Sequence, residues 1–539
     1  MIAGSNDSTS AGTCGDRATR GARPMPGSST ERPATIRSPS MTINAIGLGT
    51  PEPGPRGKMH DFPLSRPGSG DLHALIGTVL RALSDGAHQR GGPVPAGEPV
   101  ELAGNVRAAL GPLLLREGRG IGVLASLTEI LARGAVDLSD PAWSAHLLSP
   151  PLAISAAADV AAAILNADLT SWDQSPAGIV IESEVVRAMC TLVGYDPDAA
   201  AGVVTSGGTE SNLIGLFLAR DRPGGPGPAH GRSVIYASRS AHFSIRRSAR
   251  LLGFPDENVI PVETNARDQM DPDALRTAME HDTREGRWPA CVVATTGTTD
   301  FGAIDPVEDI IAISRAHSAA VHVDAAYGGG ALFSGKLASL LTGVEGADSI
   351  SLDLHKFGWQ PIGAGVLLTR RADAFAPMAF EAPYVNAADD LLAGHLNHTN
   401  RSLRTTRRAD AFKIAVTLQA VGIERLGEMV DHCHALARHA AHRIAVTPHL
   451  ALAADPVLST VVFRYVPRAD VPAVSDAVNA SLRRRILAEG KAVIGRTELR
   501  AGKPSVWLKL TLLNPFMTEE DVDRVLHVIT SAGRLEDGG

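Results

Sequence analysis

Cysteine is scarce in this sequence, which argues against a disulfide-stabilised or metal-bound domain. The 539 residues include four cysteines, and they lack the CxxC or Cys/His spacing of zinc and redox motifs. Scattered thiols of this kind are typical of reduced cysteines in a cytoplasmic protein, so we expect a cytoplasmic location and no metal site. The cysteines are Cys14, Cys190, Cys291 and Cys433.

Long apolar runs and a strong excess of one charge are also missing. No stretch approaches the roughly 18 to 20 apolar residues that span a bilayer, and the N-terminus lacks the basic-then-apolar pattern of a signal peptide. The net charge of −7 gives no electrostatic footprint for nucleic acid. No GxGxxG follows the first strand pattern, which disfavours a dinucleotide-binding dehydrogenase. We therefore expect neither a membrane nor a nucleic-acid partner.

Length and composition divide the chain into segments. At 539 residues it is long for one domain. Residues 1–70 are rich in Ser, Gly, Pro, Thr and Arg, which predicts a disordered extension because such a tract buries little apolar surface. Residues 71–175 show helical periodicity, for example over Val106–Leu115, and are predicted to form a helical segment. Pro141–Pro151 interrupts it.

From residue 176 the pattern changes to strands that alternate with helices. Over 176–424 this predicts an α/β domain with a mainly parallel sheet covered on both faces. Residues 425–535 begin with a long helical pattern, Arg425–Ile444, and then mix strands with helices, which predicts a small α+β domain. Phe375–Asn400 is polar and irregular, and long segments of this kind in compact enzymes are often lids.

The chemistry centres on an acid and a lysine that follow two strands. Asp324 ends the buried strand pattern that begins at Ala320, and Lys356 follows the strand-like Ser349–Leu354. Pyridoxal phosphate needs an amine for its Schiff base and an acid beside its pyridine nitrogen, so the pair suits this cofactor. Burial and a protonated His355 would help the lysine to lose its proton. An ordinary buried ion pair is the alternative.

Other predicted strand ends also carry polar side chains. Thr205–Asn212 combines glycines and hydroxyls with the start of a helix, the form of a phosphate cradle, although such a turn is often only a helix start. Thr295–Thr299 is a second hydroxyl-rich turn. His242 opens a helix and is either a structural residue or one that stacks on an aromatic cofactor and handles protons. Because strand ends of a parallel sheet share one edge, these groups are expected to meet.

At these residues the sequence resembles the group II pyridoxal-phosphate-dependent amino-acid decarboxylases. The nearer resemblance is to bacterial L-2,4-diaminobutyrate decarboxylases and siderophore-associated diamine-forming enzymes. It implies fold type I, which is the aspartate-aminotransferase-like fold, and it covers about residues 71–530. The matching stretches are Ser171–Ala177 with Ile181–Glu182, Thr205–Asn212, Ala241–Ser244, His322–Tyr327, Asp353–Lys356 and Leu510–Pro515.

The resemblance implies a role for each matching position. Lys356 would bind the cofactor as a Schiff base, Asp324 would pair with the pyridine nitrogen, and His242 would stack on the ring opposite Ala326. The implied phosphate and cofactor anchors are Gly208, Thr209, Thr299, Asp353 and His355. Asp353 departs from relatives that carry Asn, and an acid near a phosphate dianion is unfavourable unless it binds a donor.

The family also implies a mobile loop that works with a neighbouring subunit. Its tyrosine, here Tyr384, would return a proton to the substrate carbon after CO2 leaves, and a homodimer with shared active sites is expected. Relatives with Phe at this position tend towards oxidative deamination. A surface tyrosine is the alternative. Arg408 matches a family arginine near the site but equally fits an ion pair at a helix start, and His146 is a second candidate for substrate contact.

The sequence therefore predicts decarboxylation of an L-amino acid to its amine and CO2. A diamino acid such as 2,4-diaminobutyrate, used in secondary metabolism, is the expected substrate. Another amino acid, an aminotransferase or lyase reaction, and a non-catalytic regulator that retains the fold are the alternatives. The pocket lining expected around Trp143–Pro151 and the Tyr384 loop does not identify the substrate by its charge.

Overall fold

The computed structural model of the chain describes residues 70–225, 231–380, 382–469, 471–499 and 505–538. The predicted disordered extension over residues 1–70 lies outside this range except for Gly70, which begins the first helix. Within the described residues, no helix is long and apolar enough to cross a membrane. Among the same residues, no cluster of His, Cys, Asp and Glu side chains has an arrangement that would hold a metal ion.

The bounds of the elements in the described part of the chain are as follows. The helices are α1 (Gly70–Arg90), α2 (Pro99–Leu110), α3 (Val123–Gly134), α4 (Ala153–Leu165), α5 (Pro176–Leu192), α6 (Gly208–Asp221), α7 (Ser244–Leu251), α8 (Pro272–Arg284), α9 (Val307–Ala316), α10 (Pro383–Asn386), α11 (Ala388–Leu392), α12 (Ala411–Val421), α13 (Ile423–Val446), α14 (Pro472–Ala488) and α15 (Glu519–Asp537). The strands are β1 (Trp143–Ser144), β2 (Ala201–Thr205), β3 (Ser233–Ser238), β4 (Val259–Val262), β5 (Trp288–Thr295), β6 (Ala320–Ala325), β7 (Ser349–Asp353), β8 (Gly365–Thr369), β9 (Leu450–Leu452), β10 (Thr460–Tyr465), β11 (Val493–Leu499) and β12 (Ser505–Thr511).

The larger sheet has seven strands in the order β2-β8-β7-β6-β5-β3-β4. The five strands from β7 to β4 are parallel, whereas β8 is antiparallel to both of its neighbours. Every residue of β6 and β7 is buried, although alternate side chains point to opposite faces, so helices and loops cover both faces. The predicted α/β fold with a mainly parallel sheet is confirmed.

The smaller sheet has five strands in the order β1-β11-β12-β10-β9. Helices α13, α14 and α15 contribute its buried apolar core, as the C-terminal periodicity predicts. Helix α15 begins at a capping box between Thr518 and Asp521. Strand β1 comes from the interruption at Pro141–Pro151 and pairs in parallel with β11. The predicted domain boundaries stay a prediction, and this sheet joins residues from both sides of them.

Two expectations about local structure are wrong. The helix predicted over Val106–Leu115 ends at Leu110, because Gly111 has a φ of 65° and Pro112 follows it. The predicted irregular segment Phe375–Asn400 contains the short helices α10 and α11. Pro383 at the first position of α10 suits a helix start, a signal that the polar composition of the segment hides.

Candidate active site

A cavity of about 310 Å³ opens at the carboxyl ends of the parallel strands. Its walls come from the turns after β5, β6 and β7 and from the first turn of α6. Such strand ends are where open α/β sheets bind ligands. The cavity brings together nine residues predicted from the sequence: Lys356, Asp324, Ala326, His242, Gly208, Thr209, Thr299, Asp353 and His355.

Lys356 lies in the turn that follows β7, with 17% of its side chain exposed. Its Nζ is 3.3 Å from Oδ2 of Asp353. Ser149 holds this turn, since its hydroxyl is 2.8 Å from the main-chain oxygen of Lys356 and 3.1 Å from that of His355. The irregular segment around Pro150 therefore positions the lysine. No local pattern in the sequence marks Ser149 for this role.

The proposed cationic His355 is not supported. Burial lowers the pKa of His355 below its ordinary value because it penalises the charged imidazolium, and the positive charge of Lys356 acts in the same direction. The negative charge of Asp353 opposes this shift without reversing it. At neutral pH His355 is thus mainly a neutral neighbour of Lys356.

Asp324 lies at the end of β6, and only 5% of it is exposed. Its carboxylate receives hydrogen bonds from Nδ2 of Asn212 at 2.9 Å and from the main-chain N–H of Ala326 at 3.2 Å. The hydroxyl of Ser351 lies 3.3 Å from the oxygen that accepts from Ala326, but it is nearer to the amide oxygen of Asn212, at 3.0 Å. Two N–H donors thus bind the carboxylate, one on each oxygen, an arrangement that suits an ionised, acceptor-only group. Such a carboxylate is the required partner for a protonated pyridine nitrogen.

The ring of His242 lines the cavity with its Nδ1 turned towards the protein. This nitrogen is 2.8 Å from the hydroxyl of Ser244 and accepts from the main-chain N–H of Ser244 at 3.3 Å. Burial lowers the pKa of His242, so the ring is neutral at pH 7 and its single proton lies on Nε2. His242 therefore offers an N–H donor on the nitrogen that does not bond to Ser244.

The start of α6 has the features of an anion cradle. Gly207 is the N-cap residue of α6 and has a φ of 154°, a conformation that favours glycine. No described side chain caps the first N–H groups of the helix. A Cβ added to Gly208 would lie 2.9 Å from Cβ of Ala326, so only glycine fits there. The first N–H groups of a helix lack partners within the helix and bind phosphate well.

Some polar atoms of the residues that line the cavity have no hydrogen-bond partner in the described part of the protein. Within the described residues, Oγ1 of Thr295, Oδ1 of Asp353 and Nδ1 of His355 are buried and have no hydrogen-bond partner. Buried polar atoms are rarely left unpaired in folded proteins. Together with the glycine cradle, the lysine and the acid, they fit a phosphorylated pyridine aldehyde. Oδ1 of Asp353 is the exception, because a carboxylate suits a phosphate only through a donor between them.

Three predicted site residues do not line this cavity. Tyr384 lies on α10 and is 90% exposed. Nη2 of Arg408 is 2.6 Å from carboxylate oxygens of both Asp159 and Asp410, so its charge is already compensated. His146 is exposed beside Trp143, although the adjacent Leu147 does line the cavity. Their roles stay predictions.

Comparison with known proteins places this arrangement in a family. The pyridoxal-dependent decarboxylase conserved domain matches residues 122–466. An L-2,4-diaminobutyrate decarboxylase of Rhizobium meliloti (strain 1021) is 42% identical over 418 residues, which are 77% of this chain and 83% of the relative. Another, of Acinetobacter baumannii, is 36% identical over 487 residues, which are 87% of this chain and 94% of the relative.

A solved structure gives the same answer. The glutamate decarboxylase domain of diaminobutyrate-pyruvate transaminase and L-2,4-diaminobutyrate decarboxylase from Vibrio parahaemolyticus is 32% identical, with a TM-score of 0.77. The alignment covers 88% of this chain and 98% of that one. Fold and cavity thus define a pyridoxal-phosphate enzyme of fold type I. More narrowly, the chain belongs to the pyridoxal-dependent decarboxylase family, and the predicted cofactor and carboxy-lyase class are confirmed.

Proposed function

We propose that this protein decarboxylates L-2,4-diaminobutyrate to 1,3-diaminopropane and CO2. The observation that carries the proposal is the 42% and 36% identity to two enzymes named for that substrate, over most of their length. The cavity supports the proposal because it contains a lysine, an acid and a glycine turn that suit the cofactor. Pyridoxal phosphate, when bound, accepts the electron pair that the departing CO2 leaves on the α-carbon.

Each of several cavity side chains would have a separate role in the reaction. Lys356 would bind the cofactor through its amine, and the start of α6 at Gly208 would receive the phosphate. Asp324 would keep a proton on the pyridine nitrogen by offering it an ionised acceptor. His242 would stack on the ring, and its Nε2–H would be a donor for the substrate carboxylate. Orientation of the bond that breaks is the protein's main contribution to reaction specificity.

A second copy of the chain would complete the site. Ile362 lines the cavity and is 69% exposed, and Leu392, in the same lid segment as Tyr384, is 91% exposed. Exposed apolar side chains of this size are available for an interface. A homodimer in the cytoplasm, in which Tyr384 of each chain serves the site of the other, would cover them and would give the exposed tyrosine a site to act in.

The substrate's distal ammonium supports the same assembly. The cavity lining contains two carboxylates, Asp324 and Asp353. Asp324 is committed to the cofactor, and Asp353 pairs with Lys356 at 3.3 Å. An ammonium group needs acceptors of its own. We expect these acceptors to come from the second copy, across the cavity mouth.

An amino-acid panel assayed for CO2 release tests the proposed substrate. With added pyridoxal phosphate, 2,4-diaminobutyrate is expected to react best among diaminobutyrate, ornithine, lysine, glutamate, valine and aromatic amino acids. Lys356→Ala should abolish release, whereas Lys336→Ala, at a side chain that is 80% exposed, should not. Release only from glutamate, valine or aromatic acids would contradict the substrate and leave the reaction class intact.

Mixing two variants that do not form amine tests the shared site. Lys356→Ala and Tyr384→Phe each lack one essential group, but a mixed dimer contains one site with both. After subunit exchange, amine formation should return to about a quarter of the wild-type rate, since half of randomly formed dimers are mixed and each has one complete site. Recovery no greater than the sum of the separate variants would rule out sharing through Tyr384.

A further inference from the structure

A row of buried polar side chains lies behind Asp324, on the face of the sheet covered by α6. His322 and Asp324 are two residues apart on β6, so their side chains point to the same face. In the strand register His322 is opposite Ser349, and Asp324 is opposite Ser351, both on β7. Asn212 of α6 lies over these strands. All five residues are at most 5% exposed.

Hydrogen bonds link these side chains in one direction. Nδ2 of Asn212 donates to Asp324 at 2.9 Å, because an ionised carboxylate can only accept. The amide oxygen of Asn212 therefore faces the other way, 2.9 Å from Nε2 of His322. That nitrogen must carry a proton, and Nδ1 of His322 then accepts from the hydroxyl of Ser349 at 2.8 Å. We call Ser349, His322, Asn212 and Asp324 the Asp324 relay.

The helix is shaped to allow this contact. Gly215 lies one turn after Asn212, directly over the imidazole. A Cβ added there would be 2.6 Å from both Cε1 and Nδ1 of His322, so any larger residue would push the ring or the helix away. A histidine that only filled space would not need both nitrogens to face polar partners. The two bonded nitrogens and the glycine above them indicate a ring held in one orientation and one tautomer.

We propose that His322 is a positioning residue for the cofactor's pyridine nitrogen and acts through Asn212. As a neutral Nε2–H donor it occupies the amide oxygen of Asn212, so the amide can present only its NH2 to Asp324. The carboxylate is thereby kept ionised and correctly turned. Without the imidazole, the amide oxygen of Asn212 keeps only the hydroxyl of Ser351, at 3.0 Å, as a donor. A flip of the amide, which would place its oxygen against the carboxylate and favour a protonated acid and an unprotonated pyridine, then costs less.

The same amide connects Asp324 with His242, through the hydroxyl of Ser244. Nδ2 of Asn212 also donates to the hydroxyl of Ser244 at 3.0 Å. That hydroxyl then has its own proton available for Nδ1 of His242, 2.8 Å away. A flip of Asn212 would thus disturb the acid at the pyridine nitrogen and the tautomer of the stacked histidine together.

The test compares His322→Gln with His322→Leu. Glutamine places an N–H near the position of Nε2 and restores the donor to Asn212, whereas leucine does not. Apoenzyme is reconstituted with pyridoxal phosphate labelled with 15N in the ring, and its nitrogen NMR shift is read at pH 7. We expect a pyridinium signal for wild type and His322→Gln and a neutral pyridine signal for His322→Leu. Cofactor affinity should fall about tenfold in His322→Leu and change about twofold or less in His322→Gln, the range for one hydrogen bond.

Further variants separate the possible failures. A pyridinium signal and unchanged affinity in a folded His322→Leu would overturn the proposal. His398→Leu is the matched control, because His398 is buried to 4% exposure outside the relay and should leave the signal unchanged. If His322→Leu does not fold, Asn212→Leu is expected to give the neutral signal and a retained pyridinium signal would overturn the relay. The inference rests on the proposed role of Asp324: a pyridinium signal in Asp324→Asn would refute that role itself.

Discussion

Gly208 is a position where one added methyl group should disturb the cofactor site. A Cβ in Gly208→Ala would lie 2.9 Å from Cβ of Ala326 and 3.1 Å from Oδ2 of Asp353. Carbon atoms that are not bonded rest about 3.5–4.0 Å apart, so Ala326 would have to move by roughly 0.6 Å or more. Both neighbours line the cavity, and their shift changes the wall that faces the cofactor.

The expected magnitude follows from the cost of overpacking. One extra methyl in a packed interior costs about 1–3 kcal/mol. If that cost falls on the bound state, cofactor affinity weakens about fivefold to 150-fold. Fluorescence titration of the apoenzyme with pyridoxal phosphate measures it. Gly335→Ala is the control, because its added Cβ would meet no described atom within 4 Å. Wild-type affinity in Gly208→Ala would refute the cradle.

Three other changes have outcomes that the structure sets. Glu182→Gln leaves buried Arg407, 2.7 Å away, without its countercharge, so the free energy of unfolding in urea should fall by about 3–5 kcal/mol. Asp198→Asn, which breaks an exposed ion pair, is the control and should cost under about 1 kcal/mol. Equal losses in the two variants would contradict this prediction. Burial lowers the pKa of His322 to about 4 from its ordinary 6.5. Between these two pH values the unfolded chain therefore binds a proton at His322 that the folded chain does not bind. His322 alone should lower stability by about 1.4 kcal/mol per pH unit as pH drops through that window. His322→Leu should reduce the slope by that amount, because the other histidines are unchanged, and an unchanged slope would count against the buried neutral ring. Tyr384→Phe changes an exposed side chain, so stability should stay within about 0.5 kcal/mol of wild type. Product analysis of this variant should show O2 uptake, ammonia and aldehyde in place of amine. An unaltered amine yield would show that the tyrosine takes no part in the reaction.

The sequence predicted the groups that end strands. Asp324 and Lys356 each follow an apolar run, and the parallel arrangement of β6 and β7 places them at one edge. Gly208 was predictable for a similar reason, because glycines and hydroxyls before an apolar helix are a phosphate-binding pattern. These signals are local, so a single chain segment is enough to recognise each one.

The Asp324 relay could not be predicted in the same way. Asn212 and His322 lie in segments that the sequence analysis singles out, yet their contact depends on how α6 crosses β6 and on the absence of a side chain at Gly215. The two-residue spacing of His322 and Asp324 was the available signal. Ser149 likewise reaches Lys356 across more than 200 residues of chain.

Arg408 shows the opposite problem. Its position in the sequence fits both a substrate-binding arginine and an ion pair at the start of a helix. Only the fold brings Asp159 of α4 to within 2.6 Å of it, beside the local Asp410. The charge of an arginine is visible in a sequence, but the carboxylates that compensate it are not.

The most direct test of this account is to locate the cofactor on the chain. Reconstituted enzyme is reduced with borohydride, which makes the bond between lysine and cofactor permanent, then digested and analysed by mass spectrometry. The account predicts the phosphopyridoxyl group on Lys356 in wild type and no specific labelling in Lys356→Ala. Specific labelling of another lysine, or labelling of wild type that persists unchanged in Lys356→Ala, would contradict it.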